Sequence, residues 1–276
     1  MQIEKRLKSG ALAVVVAGLS LFISCNNEDE SLVDRLFFPP EDDVALGQNV
    51  VQQIESDPGQ FPVLPKAEYP EAYAYIEAMT AEILQSDDVK YKDIFPYEVK
   101  IIHRDDVLNA FATPGGFMYV YTGLIKYLDN ADDLAGVMGH EVAHASERHS
   151  VDQLKQQLGV QFLISIALGE GTATQIAQLA SNFLSLKFSR DDESEADDFS
   201  VFYLADTEYA CNGAASFFEK LESEGGTQVP EFLSTHPSPD NRVVAINEQA
   251  TEVGCDTSPI QETGTTYQDF INSLPQ

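Results

Sequence analysis

Positive charge is scarce in this chain: 16 Lys and Arg stand against 45 Asp and Glu, for a formal net charge of −29 and a sequence pI near 4.2. The basic footprint of a nucleic-acid binder is missing, which excludes nucleic acid as a partner. An anionic membrane surface would repel such a chain as well. Long apolar runs are also lacking. The stretch from Ala11 to Ile23 carries Gly18 and Ser20 and falls well short of the roughly 20 residues that a membrane-spanning helix needs. Cysteine is limited to three residues with no CxxC spacing, so a cysteine metal site is not expected. No internal repeat and no strong linker divides the chain. What is present is 276 residues at 43% apolar content, enough for one sizeable core.

The N-terminus has the layout of a bacterial secretion signal: Lys5, Arg6 and Lys8 precede the apolar stretch, and Ser24-Cys25 follow it directly. A cysteine at that place resembles the lipobox of bacterial lipoproteins, with Phe22 where Leu is usual. The expectation is a signal peptide over 1–24, a lipid anchor at Cys25, an acidic tether over 25–36 and a single domain over 37–276. An uncleaved anchor and a plain cleaved signal are the alternatives. Cleavage removes three positive charges and one negative, taking the formal charge from −29 to −31. Glu28, Asp29 and Glu30 behind the anchor resemble a surface-export stretch, so the chain is expected in the bacterial envelope, as an outer-membrane lipoprotein facing the periplasm or the cell surface. In that oxidising setting Cys211 and Cys255 form an even pair, read as one disulfide or as two buried thiols.

Pattern along the mature chain predicts an α+β fold, mainly α-helical, with a small sheet. Helices are expected from Pro40 to about Ser56 and from Pro70 to Gln85, the second with Ala72, Tyr75, Ile76, Met79, Ile83 and Leu84 on its apolar face. Residues 97–102, 110–112 and 117–121 read as strands, the last two joined at Thr113-Pro114-Gly115-Gly116. Asn130 is a candidate N-cap, with Asp132 and Asp133 in the first turn. Further helices are expected over 151–168, 172–187 and 191–205, loops at Glu224-Gly225-Gly226 and Pro237-Ser238-Pro239, and a short terminal helix docked through Tyr267, Phe270, Ile271 and Leu274.

His140-Glu141-Val142-Ala143-His144 is an HExxH motif inside a predicted helix. Four residues advance a helix by about 400°, so both imidazoles share a face and can reach one ion while Glu141 projects beside them. Zn²⁺ suits imidazole ligands and keeps a position for water, whose proton a neighbouring carboxylate can take. The third ligand must come from elsewhere. His149 lies five residues after His144, about 140° round an unbroken helix, and reads as an exposed or last-turn histidine. Glu193-Ser194-Glu195-Ala196-Asp197 is the better source: Glu193 and Asp197 are four apart, so one can ligate while the other accepts a ring N–H from a histidine. Glu195 falls on another face and reads as solvated.

These motifs, with Asn109 to Gly116, Tyr119 to Leu124, Arg148-His149 and Ser234 to Arg242, resemble the gluzincin zinc metalloproteases of metallopeptidase family 48. The resemblance runs from about Phe38 to Ile246. It implies a zincin-type domain whose sheet lies beside the HExxH helix, and one Zn²⁺ on His140, His144 and Glu193. It also implies Glu141 as general base, Asp197 behind a ligand, and His236 and Arg242 at the oxyanion or guarding the metal. An ordinary surface histidine, and an arginine pairing with some carboxylate, are the plain readings of that last pair. The strand Asn109, Ala110, Phe111 and Ala112 would receive an extended peptide by strand addition, with the helices of 151–187 as a lid. The function so implied is a zinc endopeptidase acting on unfolded or misassembled envelope proteins, with envelope assembly machinery as a partner. A periplasmic chaperone that rarely cleaves is the alternative.

Overall fold

The computed structural model describes residues 38–223, 231–237 and 241–276. The signal peptide, Cys25, the tether and the loops at 224–226 and 238–239 lie outside the described residues. Helices α1 (Pro40–Glu55) and α2 (Pro70–Ile83) lead into strand β1 (Val99–Ile102). Strands β2 (Ala110–Thr113) and β3 (Phe117–Tyr121) and helices α3 (Thr122–Tyr127) and α4 (Ala131–Ser146) follow. Next come α5 (His149–Leu158), α6 (Val160–Ala167), α7 (Ala173–Leu184) and α8 (Arg190–Leu204), then α9 (Gly213–Ser223), α10 (Glu231–Thr235), α11 (Arg242–Val253) and α12 (Tyr267–Ser273). The architecture is a zincin-like α+β fold, mainly helical, with one small sheet among the described residues.

Strand order in that sheet is β1-β3-β2, with β1 parallel and β2 antiparallel to the central β3. Both faces are covered, so the strands read as near-continuous apolar runs. Met118 and Val120 of β3 enter the larger core with α2, α4, α8 and α9, whereas Tyr119 and Tyr121 point the other way into a second core with α1, α5, α6 and α7. The alternation follows from the two-residue period of a strand. The turn between β2 and β3 is a short 3₁₀ segment over Pro114–Gly116 with Gly115 at φ 74°, a conformation that glycine adopts without Cβ strain. α1 packs on this turn at Gly47, where a Cβ would come within 1.9 Å of the Pro114 carbonyl oxygen.

Every residue of α4 is buried, as expected of a helix surrounded by core. Its start is fixed by Asn130, whose Oδ1 accepts the Asp133 backbone N–H at 3.0 Å. Asp133 itself is buried with Oδ1 unpartnered. Burial, aided by Asp129 and Asp132, pushes its carboxyl up to about 6. The folded state therefore holds a proton that the unfolded chain has released between about pH 4 and 6, and stability falls as pH rises through that window. Asp133→Asn keeps an acceptor for the Asp129 N–H. It is expected to raise the thermal midpoint at pH 7 and to change it little at pH 4, as checked by unfolding scans at both.

The expected helix over 151–168 is two helices. Gly159, at φ 81°, separates α5 from α6, a break that an apolar run through Val160 does not reveal. Elsewhere α8 begins one residue earlier than expected because Ser189 forms a capping box with Asp192. Among the described residues no helix is long and apolar enough to cross a membrane. Cys211 and Cys255 are joined by a disulfide, with Cα atoms 6.3 Å apart, which ties the start of α9 to the end of α11.

Candidate metal centre

α4 and α8 cross so that their functional residues meet in the buried seam between them. His140, His144, Glu193 and His236 each direct one ligand atom into a space where all four lie within 4.8 Å of one another. The two Nε2 atoms of His140 and His144 are 2.9 Å apart. Glu193 Oε2 is 3.5 Å from His140 Nε2, and its Oε1 is 3.3 Å from His144 Nε2. His236 approaches from the segment after α10, with Nδ1 3.0 Å from Glu193 Oε1. All are at most 1% exposed.

His140, His144 and Glu193 fit one zinc ion, which takes imidazole nitrogen and carboxylate oxygen and in catalytic sites keeps its fourth tetrahedral position for water. Inward lone pairs are secured from behind. Asp197 Oδ1 lies 3.0 Å from His140 Nδ1, so that nitrogen donates and Nε2 is left free to ligate. Burial alone would depress the His140 imidazolium, but Asp197 and Glu193 outweigh it and raise its pKa to about 9. His144 is driven well below the usual histidine range by burial and by the neighbouring His140, which keeps it neutral. Burial would raise Glu193, but His236, His140 and His144 hold its carboxyl far below the usual range, so it is anionic. A metal entering this cluster must displace the His140 proton, which makes affinity depend on pH.

Glu141 sits beside the cluster, 1% exposed, with neither carboxylate oxygen hydrogen-bonded. His236 faces it, with Nε2 3.6 Å from Glu141 Oε1. Burial pushes its carboxyl up against the opposing pull of His236 and His140, a state suited to taking and returning a proton. Aromatic rings hold the imidazoles: His144 stacks on Phe188 at 3.9 Å between centroids and His236 on Phe232 at 4.3 Å.

Sequence reasoning put Arg242 at the oxyanion or in a plain ion pair. Here its Nε donates to Asp197 Oδ2 at 2.6 Å, and its Nη2 donates to Asp197 Oδ1 at 2.7 Å and lies 3.1 Å from Glu193 Oε2. Only Nη1 is without a partner. His149, expected to be exposed, is 5% exposed. The helix ends at Ser146, Arg148 turns left-handed at φ 63°, and the new helix α5 brings His149 back to His144. Glu195, expected to be solvated, lies 3.0 Å from His149 through Oε2 while keeping about half of its side chain exposed. Neither partnership could be read from spacing along an unbroken helix.

Beside the metal cluster a cavity of about 310 Å³ opens along β2. Phe111, Phe183, Leu186 and Phe188 give it apolar walls, with Ala112 and His236 toward the metal. Asn109, just before β2, is 4% exposed and its Oδ1 has no hydrogen-bond partner. β2 is an edge strand of the sheet, and Asn109, Phe111 and Ala112 border the cavity, whereas Ala110 points into the larger core.

A metal-binding helix pair closed by an ExxxD-type carboxylate, beside a small sheet with an edge strand at the cleft, defines the zincin class. Within that class the chain belongs to peptidase family M48, whose family model matches residues 70–250. It is 34% identical over 146 residues to mitochondrial metalloendopeptidase OMA1 of Arabidopsis thaliana, covering 53% of this chain and 30% of that protein. It is 32% identical over 160 residues to metalloprotease YcaL of Escherichia coli, covering 56% and 62%. To the beta-barrel assembly-enhancing protease of E. coli it is 28% identical over 172 residues, covering 57% and 35%. The matched part thus spans about a third to three fifths of these relatives.

Proposed function

We propose that this protein is a zinc-dependent endopeptidase of the bacterial cell envelope that cleaves unfolded or misassembled envelope proteins. One observation carries the reading: Glu141, a buried carboxylate facing His236, stands beside a His140–His144–Glu193 donor set in the seam of α4 and α8. Zinc held there supplies Lewis acidity toward a peptide carbonyl and a nearby water. Glu141 takes the proton of that water and passes it to the leaving amine. Asp197 keeps the His140 ring oriented through Nδ1, and Arg242 holds Asp197 and Glu193 in place, with Nη1 left as a donor for developing negative charge.

His236 stands beside the ligands and the base, with Nδ1 3.0 Å from Glu193 Oε1 and Nε2 3.6 Å from Glu141 Oε1, where it can hold an oxyanion next to the metal. Asn109, Ala110, Phe111 and Ala112 offer a strand edge whose main chain pairs with an extended peptide irrespective of its side chains. The apolar cavity beside it suits the aromatic and aliphatic residues that folded proteins hide and unfolded ones expose. The name of one E. coli relative, beta-barrel assembly-enhancing protease, supports an envelope setting with assembly machinery nearby. Cys25 as lipid anchor and 25–36 as tether complete the reading, with 37–276 as the protease domain facing the periplasm or the surface.

The test is metal analysis of the mature protein together with hydrolysis of casein and of unstructured peptides. About one zinc per chain and hydrolysis abolished by chelation and restored by zinc are expected. Folded protein without zinc overturns the reading, and zinc without turnover on any unfolded substrate moves the assignment to a chaperone.

A further inference from the structure

His144 has no carboxylate of its own behind it. Asp197 serves His140, and the Nδ1 of His144 faces the Nδ1 of His149 at 2.9 Å. The opposite ring nitrogen of His149, Nε2, lies 3.0 Å from Glu195 Oε2. Two facing imidazole nitrogens can share only one proton, so the direction of this chain is fixed by its ends. With Nε2 of His144 turned to the metal donors, its Nδ1 carries the proton and donates to His149 Nδ1. His149 then carries its own proton on Nε2 and donates to the Glu195 carboxylate, which can only accept.

The backbone is arranged to make this contact. An unbroken helix would carry His149 about 140° away from His144. Arg148 instead adopts φ 63°, a conformation that costs a non-glycine residue free energy unless the surroundings enforce it. They do: Arg148 Nε and Nη2 donate to Asp43 at 2.7 and 2.8 Å, and Nη2 also donates to the Phe38 carbonyl at 3.0 Å, all buried. The ring of His149 is thereby seated edge-on to His144, with centroids 5.0 Å apart and planes at 75°.

We infer that His149 and Glu195 are positioning residues for the metal: a two-step relay from a half-exposed carboxylate to the second histidine ligand, fixing its tautomer and ring orientation. The inference rests on the reading of the cluster as a zinc centre. It extends to His144 what Asp197 does directly for His140. The same five-residue segment, Glu193 to Asp197, then supplies one ligand and the outer support of both histidines, Asp197 from one side of α8 and Glu195 from the other. Glu195 is the end of the relay that solvent reaches.

Zinc affinity, measured by competition with a chromophoric chelator, tests this without recourse to turnover. His149→Phe keeps a ring but removes the acceptor of the His144 N–H, and is expected to raise the zinc dissociation constant by about 10- to 100-fold. Glu195→Ala is expected to raise it by a smaller factor, near tenfold. Glu195→Gln retains an acceptor and should restore most of the affinity. His149→Phe with Glu195→Ala should be no worse than His149→Phe alone, because the relay is already cut. The visible spectrum of the cobalt-substituted protein should shift in His149→Phe and Glu195→Ala and return in Glu195→Gln. Wild-type zinc affinity in Glu195→Ala, a surface change that spares the fold, overturns the relay while leaving the zinc centre intact. Absence of zinc binding by the wild-type protein overturns both.

Discussion

Glu141→Gln is expected to keep the fold and the zinc and to lower peptide hydrolysis by about 10²- to 10⁴-fold, the range for loss of a positioned general base. The substitution is nearly isosteric, and Glu141 is not among the four residues whose ligand atoms converge. The amide keeps one oxygen as an acceptor toward the Ala112 backbone and His236, the neighbours that act on the carboxylate. A carboxylate this deeply buried is itself a cost to the folded state. The same variant should therefore unfold at an equal or higher temperature than the wild type, the usual sign of a residue kept for chemistry at the expense of stability. Zinc content, thermal midpoint and hydrolysis of an unstructured peptide read the three parts separately. Unchanged hydrolysis would remove Glu141 from the reaction. Loss of zinc would mean that Glu141 supports the ligands and does not handle the proton.

How much of this was legible in the sequence differs by interaction type. Helical periodicity placed His140, Glu141 and His144 on one face, and the capping residue Asn130 fixed where that helix starts, because both are local properties of the chain. That Asp197 would accept from one of the two histidines was readable for the same reason, since i and i+4 on one helix share a face and bring Glu193 and Asp197 together; that the histidine is His140 is seen only in the structure. What could not be read was any contact that depends on a chain reversal enforced from a distance. Arg148 is left-handed because Asp43, 105 residues earlier, grips its guanidinium, and His149 and Glu195 took up their roles only as a result. The split between α5 and α6 is similar in kind, since a single Gly159 inside an apolar run is compatible with either a continuous or a broken helix. The outer walls of the cavity, Phe183 against Phe111 and Phe188 against His144 and His236, were invisible because each comes from a segment far along the chain from what it packs on.

Arg242→Ala is expected to destabilise the metal-free protein by about 3–5 kcal/mol and to abolish stoichiometric zinc binding. Arg242 is 1% exposed, lies between two carboxylates and stacks on Phe218 with its guanidinium carbon 3.7 Å from the ring centroid. Breaking such a pair by removing one partner leaves uncompensated buried charge, here on Asp197 and Glu193, and that is the source of the cost. Asp197 without its arginine would be free to turn from His140, and the His140 ring would lose its fixed orientation. Arg242→Lys cannot reproduce the forked contact to both oxygens of Asp197 and should recover only part of the stability. Denaturant unfolding of the apo protein and zinc stoichiometry discriminate between two roles that turnover alone would confound. If Arg242→Ala stays folded and zinc-loaded and loses only kcat, the free Nη1 is acting on substrate, and the contacts with Asp197 and Glu193 serve to aim it. If stability and zinc fall together, the arginine's first task is structural: it neutralises the carboxylates that hold the metal histidines, in a protein with very few positive charges to spend on any of them.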